Sequence, residues 1–183
     1  FVLGNDIDME GYNYEGKFWY GNMHDTNTWT VLPQYAGLNF RDGKTGGFRG
    51  IFDGKGYNID NLHITTWTGS FCGQIAQAGI IRNVSFTNVR LDGAAALISV
   101  GGNGTIENIY AHIASAVTGN SGNSDRTGVF FAGDSMAEAR VNNCFVDFGS
   151  IPAAGDKGFV GLGSFHLGYG ILNGVYGVGI APE

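Results

Sequence analysis

Ile59-Asp60-Asn61-Leu62 begins a pattern that recurs along the chain: a β-branched residue, any residue, asparagine and, usually, an apolar residue. Successive asparagines are 22, 25, 35 and 30 residues apart. The repeat is therefore 22 to 25 residues long and is lengthened twice by insertions. The other copies are Ile81-Arg82-Asn83-Val84, Ile106-Glu107-Asn108-Ile109, Val141-Asn142-Asn143-Cys144 and Ile171-Leu172-Asn173-Gly174.

Glycine-rich stretches with apolar residues at alternating positions precede most of these asparagines, which is typical of β-strands separated by turns. A helical repeat is disfavoured, because each glycine costs a helix about 1 kcal/mol relative to alanine. The repeat length is typical of one coil of a parallel β-helix, in which strands of successive coils stack into parallel sheets. The sequence therefore predicts an all-β fold, a right-handed parallel β-helix (solenoid) of about five coils.

The composition of the 183 residues narrows the class of protein. The chain has 32 glycines and 3 prolines, is 43% hydrophobic and carries a net charge of −6. This hydrophobic content supports a core and excludes a disordered chain, while the absence of a Gly-X-Y period excludes collagen. Ten scattered basic residues in an acidic chain argue against a nucleic-acid partner, and no apolar run is long enough for membrane insertion.

The chain divides into an N-terminal segment and a repeat region, which we expect to form one structural domain of a larger protein. Residues 48–183 hold the repeats, with a polar insertion around 115–126 that predicts a surface loop. Residues 1–47 combine an opening strand with an aromatic-rich segment that lacks the repeat. This segment either caps the end of the β-helix or presents ring faces to sugars. The candidate ligand-binding residues are Trp19, Tyr20, Trp29 and, in a turn between coils, Trp67.

The recurring asparagine has a structural explanation. Asparagine tolerates the left-handed backbone conformation that a bend between sheets needs, and its amide bonds to the next asparagine in a stack. We therefore expect an inward-facing ladder that holds the coils together and takes no part in chemistry. Its predicted members are Asn61, Asn83, Asn108, Asn143 and Asn173.

Three stretches resemble bacterial surface β-helix domains that carry GLUG-type repeats. They are residues 1–9, residues 48–64, which contain the specific Phe-Asp-Gly-x-Gly-aromatic pattern, and residues 104–110. Ala94–Val100 departs from that pattern because its glycines are lost. The resemblance implies a pectate-lyase-like right-handed β-helix in a secreted, cell-surface or phage-associated protein. It also implies an adhesive or structural role without catalytic residues.

Charged residues suggest two alternatives to a purely structural role. Asp6 and Asp8 lie on one face of a strand, where they either hold a Ca²⁺ ion with backbone oxygens or cap a turn. Asp60, Arg82 and Glu107 each precede a pattern asparagine, so we expect them to stack as an acid-base-acid row. Such a row is either the catalytic patch of a polysaccharide lyase or glycosidase or a set of ion pairs between coils. Apart from that Ca²⁺, no cofactor is expected.

The same register leads to further expectations. Cys72 and Cys144 should lie on different sheets, too far apart for a disulfide, as buried free thiols. The C-terminal edge should meet further coils or another subunit, since exposed strand edges invite pairing. The leading hypothesis is a non-enzymatic extracellular or virion module that meets a glycan or a host or cell-surface protein. The alternatives are a carbohydrate-binding module and a fragment of a lyase or glycosidase.

Overall fold

The computed structural model describes residues 1–10, 30–32, 50–64, 70–75, 78–92, 97–100, 104–117, 128–133, 139–149, 161–165 and 170–178. These ranges contain β-strands, turns and no helix, which confirms the predicted all-β class. In chain order the strands are β1 (Ile7–Asp8), β2 (Thr30–Leu32), β3 (Ile51–Asp53), β4 (Asn58–Asp60), β5 (His63–Ile64), β6 (Ser70–Ile75), β7 (Ile80–Asp92), β8 (Ile98–Val100), β9 (Thr105–Val117), β10 (Gly128–Gly133), β11 (Ala139–Asp147), β12 (Gly161–Phe165) and β13 (Gly170–Val178).

The strands form two sheets, in which the described pairings are parallel. The first sheet has the order β1-β4-β7-β9-β11-β13, with β3 and β5 also paired to β7. The second has the order β12-β10-β8-β6-β2. From β6 to β13 the described strands alternate between the two sheets along the chain. Each strand therefore pairs with the strand two places later, as parallel pairing by crossover connections requires.

Two bends divide β7 into three short segments. Asn83 and Asn88 have φ values of 54° and 53°, in the left-handed region that asparagine tolerates better than most residues. The segment before Asn83 pairs with β3, the segment between the two asparagines with β4, and the segment after Asn88 with β5. We call the position of Asn83, together with the positions aligned with it on other strands, the first bend. The position of Asn88 and those aligned with it are the second bend.

The burial pattern of β11 shows how a bend affects the faces of a strand. Val141 points into the core, Asn142 and Asn143 both lie toward the outside, and Cys144 returns to the core. Asn143 has φ 50°, so the left-handed residue adds one outward position at the corner. Simple alternation resumes on either side, because extended residues point to opposite faces in turn.

The core lies between the two sheets. Phe71 of β6 contacts Phe86 of β7 edge to face, with ring centroids 4.8 Å apart, and Phe52 of β3 at 5.5 Å. All three rings are buried, and Leu97 and Ile98 add side chains from the region of β8. Aromatic pairs at these distances contribute about 0.5–1.5 kcal/mol beyond the area that they bury. The two sheets are thus joined by one shared hydrophobic core.

The described part of the N-terminal segment continues both sheets. β1 pairs with β4 in the first sheet, and β2 pairs with β6 in the second. Leu3 and Asp53 are also linked by a backbone hydrogen bond of 3.1 Å. Residues 11–29 and 33–49, which hold most of the predicted aromatic cap, lie outside the described residues.

The first residues of the predicted insertion around 115–126 belong to a strand. Ser115 and Val117 belong to β9 and pair with Arg90 and Asp92 of β7. Residues 118–127 lie outside the described residues. None of the described segments forms a helix of the length and hydropathy that a membrane crossing requires.

The last described strand carries exposed apolar side chains. Ile171, Leu172, Tyr176 and Val178 of β13 are each about half exposed or more. β13 pairs with β11 on one side. Among the described residues no strand pairs with its other side.

Candidate binding surface

Asparagine side chains form a hydrogen-bonded ladder along the first bend. The Nδ2 of Asn108 donates to Oδ1 of Asn83 at 3.0 Å, and the Nδ2 of Asn143 donates to Oδ1 of Asn108 at 3.4 Å. Asn83 in turn donates to Oδ1 of Asp53 at 3.1 Å. These three asparagines have φ between 50° and 54°, so the same conformation repeats on successive strands and aligns the amides.

The ladder differs from the expectation in its members and in its exposure. Asn173 pairs with Asn142, one residue away from the ladder, and Gly174 with φ 63° occupies the first bend beside Asn143. Asn108 and Asn143 are exposed, so the ladder runs along the surface and does not face inward. The ladder therefore contains Asn83, Asn108 and Asn143 of the five expected members. The expectation is wrong for Asn61 and Asn173, which the four-residue pattern aligns with the ladder but the strand register separates from it, and for the inward orientation.

Asn61 belongs to the second bend. Its backbone nitrogen donates to the carbonyl of Thr87 at 3.0 Å, which places it beside Asn88, and its φ is 57°. Its Nδ2 donates to Oδ1 of Asp8 at 2.9 Å and to Oδ2 of Asp60 at 3.1 Å. Sequence reasoning missed Asn88, although Phe86-Thr87-Asn88-Val89 has the same pattern with phenylalanine in place of a β-branched residue.

The charged row contains Asp53 in place of Asp60. Asp53 is the register partner of Arg82, and Arg82 is the partner of Glu107. The Nε of Arg82 lies 3.0 Å from Oδ2 of Asp53, and its Nη1 lies 3.7 Å from Oε1 of Glu107. The expectation for Asp60 is wrong, because β4 follows the turn after Asp53 and pairs with the next segment of β7.

Asp53 is the most heavily hydrogen-bonded carboxylate of this row, with a side chain only 6% exposed. It accepts from Asn83 Nδ2, from the backbone nitrogen of Lys55 at 3.0 Å and from Arg82 Nε. Lys55 has φ 56° and Gly56 has φ 85°, so the Asp53-Gly54-Lys55-Gly56 segment forms a turn. Hydrogen bonds, led by those from Asn83 and the Lys55 backbone, lower the pKa of Asp53 to about 2. Asp53 therefore stays ionised at neutral pH.

The two aspartates of the candidate Ca²⁺ site accept hydrogen bonds from nitrogen donors. Asp6 Oδ1 accepts from the backbone nitrogen of Asn58 at 2.7 Å. Asp8 Oδ1 accepts from Asn61 Nδ2 and from the backbone nitrogen of Glu10, and these bonds lower the pKa of Asp8. In the described part of the chain, no three His, Cys, Asp or Glu side chains cluster as a metal site would require. The geometry here is that of carboxylates that cap a turn and join β1 to β4.

Asp60 is held by polar neighbours on the second bend. Its Oδ1 accepts from Thr87 Oγ1 at 2.6 Å and from Asn88 Nδ2 at 2.9 Å. Asp8 is its register partner on β1. Arg82 belongs to the segment of β7 before the first bend, whereas Asp60 pairs with the segment after it. The structure therefore does not bring together Asp60, Arg82 and Glu107, the three residues of the catalytic alternative.

A surface groove of about 660 Å³ lies beside the ladder, on the outer face of the first sheet. Asn83, Asn108 and Asn143 line one part of it, and Tyr110 and Phe145 line another. The lining also includes Lys55 and Gly56 of the turn, together with Val84, Ser85 and Ile109. The groove is thus lined by side-chain amides, two aromatic rings and one ammonium group.

An outward column of register partners supplies the groove's aromatic side. Ser85 of β7 pairs with Tyr110 of β9, Tyr110 with Phe145 of β11, and Phe145 with Tyr176 of β13. The rings of Tyr110 and Phe145 are stacked, with centroids 6.0 Å apart and planes within 10°. Tyr110 is 37% exposed and Phe145 is 40% exposed. We call Tyr110, Phe145 and Tyr176 the aromatic column.

Sequence reasoning missed the aromatic column and favoured other rings. Trp19, Tyr20, Trp29 and Trp67 lie outside the residues whose side chains the structure describes. A signal for the column exists in the sequence: an aromatic residue stands two places after each of Asn108, Asn143 and Gly174. Extended residues two apart share a face, so an outward bend residue predicts an outward ring.

The cysteine expectations were met where the structure describes them. Cys72 pairs within the second sheet and Cys144 belongs to the first, so they lie on different sheets. Cys144 is a free thiol, 1% exposed, and burial raises its pKa to about 11. The side chain of Cys72 is outside the described part. Cys144 is consequently protonated at neutral pH and is a poor nucleophile.

Comparison with known proteins found no matching family model, no similar curated protein and no similar solved structure.

Proposed function

We propose that this chain is a non-enzymatic, extracellular parallel β-helix module. It forms a right-handed solenoid of about five coils and acts as an adhesive or structural segment of a bacterial cell-surface or phage-associated protein. The observation that carries this proposal is the alternation of strands β6 to β13 between two parallel sheets. A chain that returns to each sheet once per repeat stacks one coil on the last.

The packing between the sheets supports the solenoid. Phe71 of the second sheet touches Phe52 and Phe86 of the first, so the two sheets enclose a common interior. In a β-helix each coil buries its apolar face only by stacking on its neighbours. The left-handed positions at Asn83, Asn108 and Asn143 supply a corner at the same place in successive coils.

The recurring polar residues support a structural role, because they bond to one another. The asparagine ladder joins β7, β9 and β11, and Arg82 joins Asp53 to Glu107 across three strands. A general base works best when its pKa lies near the working pH. With a pKa of about 2 and three hydrogen-bond donors, Asp53 is a weak base.

A sequence resemblance supports the location and the adhesive role. Residues 48–64 resemble the GLUG-type repeats of bacterial surface β-helix domains, and residues 104–110 extend the likeness. The groove on the outer face adds an exposed surface on which adhesion is able to act.

The experiment that tests this proposal is a search for turnover with purified protein. The chain is incubated with polygalacturonate, alginate and neutral glucans, and unsaturated products and new reducing ends are measured. We expect neither. Turnover that Arg82→Gln abolishes, while the control Arg140→Gln on the exposed part of β11 preserves it, would make the chain an enzyme.

A further inference from the structure

We propose that the groove beside the asparagine ladder binds an uncharged linear saccharide, with one sugar ring against Tyr110 above Ser85. This inference rests on the proposed adhesive module and names its ligand class. Three independent features of the groove support it: the arrangement of the rings, the unused hydrogen-bonding capacity of the amides and the near absence of charge.

The stacked rings of the aromatic column leave part of their faces uncovered. Carbon atoms in contact lie about 3.5–4.0 Å apart. The centroids of Tyr110 and Phe145 are 6.0 Å apart with planes within 10°, farther than carbon atoms in face-to-face contact, and both rings are more than one third exposed. Aromatic faces are electron-rich and apolar. The C–H groups on one side of a sugar ring are complementary to such a face.

Ser85 makes room for a ring beside Tyr110. Ser85 is the register partner of Tyr110 on the opposite side from Phe145. Its side chain is small, so the face of Tyr110 toward β7 has no aromatic neighbour in this column. Lys55 and Gly56 of the turn line the same groove. We infer that the sugar ring occupies the space over Ser85, against the face of Tyr110.

The ladder amides retain hydrogen-bonding capacity on the groove side. An asparagine amide has two N–H donors and an oxygen with two lone pairs. The ladder uses one donor of Asn108 and one lone pair of its oxygen. The second donor and lone pair of this exposed amide suit a hydroxyl group, which both donates and accepts.

The amides and rings also recur with a spacing that suits a linear saccharide. Neighbouring parallel strands lie about 4.8 Å apart. That distance is close to the length of one hexose unit in an extended chain, so successive units meet successive strands.

The charge of the groove selects against acidic and basic ligands. Lys55 is the single charged side chain among the described residues that line it. The whole chain carries a net charge of −6. A polyuronate or a nucleic acid needs several cations to offset its charge, and this lining supplies one. An uncharged polyhydroxylated chain matches the groove better.

The test uses four neutral linear hexasaccharides, of glucose, mannose, xylose and galactose, and hexagalacturonate as the charged comparison. Binding to the whole chain is measured by isothermal titration calorimetry. We expect at least one neutral hexasaccharide to bind, and more tightly than hexagalacturonate. Tyr110→Ala should weaken that binding about tenfold, which is the loss expected for removing one buried ring contact. Ser85→Phe should abolish it by filling the space beside Tyr110.

Arg140→Gln is the control, because Arg140 is exposed on β11 but neither lines the groove nor belongs to the aromatic column. Its affinity should stay within about twofold of the parent chain. Circular dichroism and thermal unfolding of each variant show whether it folds. Failure of all four hexasaccharides to bind a folded chain overturns the saccharide inference and leaves the non-enzymatic module standing.

Other outcomes also overturn the inference. Binding that survives both Tyr110→Ala and Ser85→Phe excludes the groove as the site. Tighter binding of hexagalacturonate excludes an uncharged ligand. Concentration-dependent self-association that Tyr110→Ala abolishes identifies a second copy of the chain as the occupant instead.

Discussion

The side-chain amide of Asn108 donates a 3.0 Å hydrogen bond to Oδ1 of Asn83, and both residues hold left-handed backbone conformations. The two properties depend on one another. The conformation places each amide over its neighbour, and the hydrogen bond then links β9 to β7 at the corner where each strand bends.

Substitution of Asn108 separates the conformational and hydrogen-bond contributions. Asn108→Ala should lower the free energy of unfolding by about 2 kcal/mol, because alanine resists the left-handed region and makes no ladder bonds. Asn108→Gly removes only the bonds and should cost about half as much. Urea denaturation measures both, with Asn142→Ala, outside the ladder, as the control. Equal losses for alanine and glycine would contradict the conformational explanation.

Protonation of Asp53 should destabilise the folded chain in acid. The pKa of Asp53 is lowered from 3.8 to about 2, so its ionised form is favoured by folding. The contribution of ionised Asp53 to the free energy of unfolding is complete above about pH 4 and is lost as the pH falls through about 2. Thermal unfolding of the parent chain and Asp53→Asn should therefore differ most above pH 4 and converge toward pH 2. A constant difference over this interval would show that the charge of Asp53 has no stabilising effect.

Gly54 lies too close to β7 for a side chain. A Cβ atom at position 54 would lie 2.5 Å from the backbone oxygen of Asn83 and 2.5 Å from Cβ of Val84. Gly54→Ala should therefore cost about 1–3 kcal/mol, as overpacking does. Gly4→Ala is the control, since a Cβ atom added at position 4 would meet no described atom within 4 Å. Chemical denaturation measures the free energy of unfolding of both variants. Equal stability would mean that β7 shifts without cost to make room for the added Cβ atom.

Phe71 should be among the most sensitive core positions, because its ring contacts both Phe52 and Phe86 across the interior. Phe71→Ala should cost about 3–5 kcal/mol, the range for truncating a buried phenylalanine. Phe145→Ala, at a 40% exposed position, should cost about 1 kcal/mol. Guanidinium denaturation provides both values. Similar losses for the two variants would argue against a core shared by the sheets.

The sequence predicted the fold class because its signals are local. Alternating apolar residues, glycine at turns and asparagine before a change of direction each express the backbone preference of a few neighbouring residues. The left-handed asparagines 83, 108 and 143 were found in this way. Even the aromatic column had a local signal, because an aromatic residue stands two places after the first-bend residue of β9, β11 and β13.

Register was the main source of error. The pattern placed Asp60 beside Arg82 and Asn173 in the ladder, whereas the structure pairs Asp53 with Arg82 and Gly174 with the bend at Asn143. A pattern of four residues cannot distinguish the first bend from the second, because both use an asparagine followed by an apolar residue. The distinction depends on which strands share hydrogen bonds.

The sequence by itself therefore predicted parallel strands with left-handed corners, since the length of the repeat indicates parallel pairing and asparagine tolerates the conformation of the corners. Only the tertiary structure decided which residues meet across the strands. Partners such as Asn83 and Asn108 are 25 residues apart, and their alignment depends on the length and packing of the whole intervening segment. That alignment put Ser85, Tyr110 and Phe145 in one column beside the ladder and so created the groove.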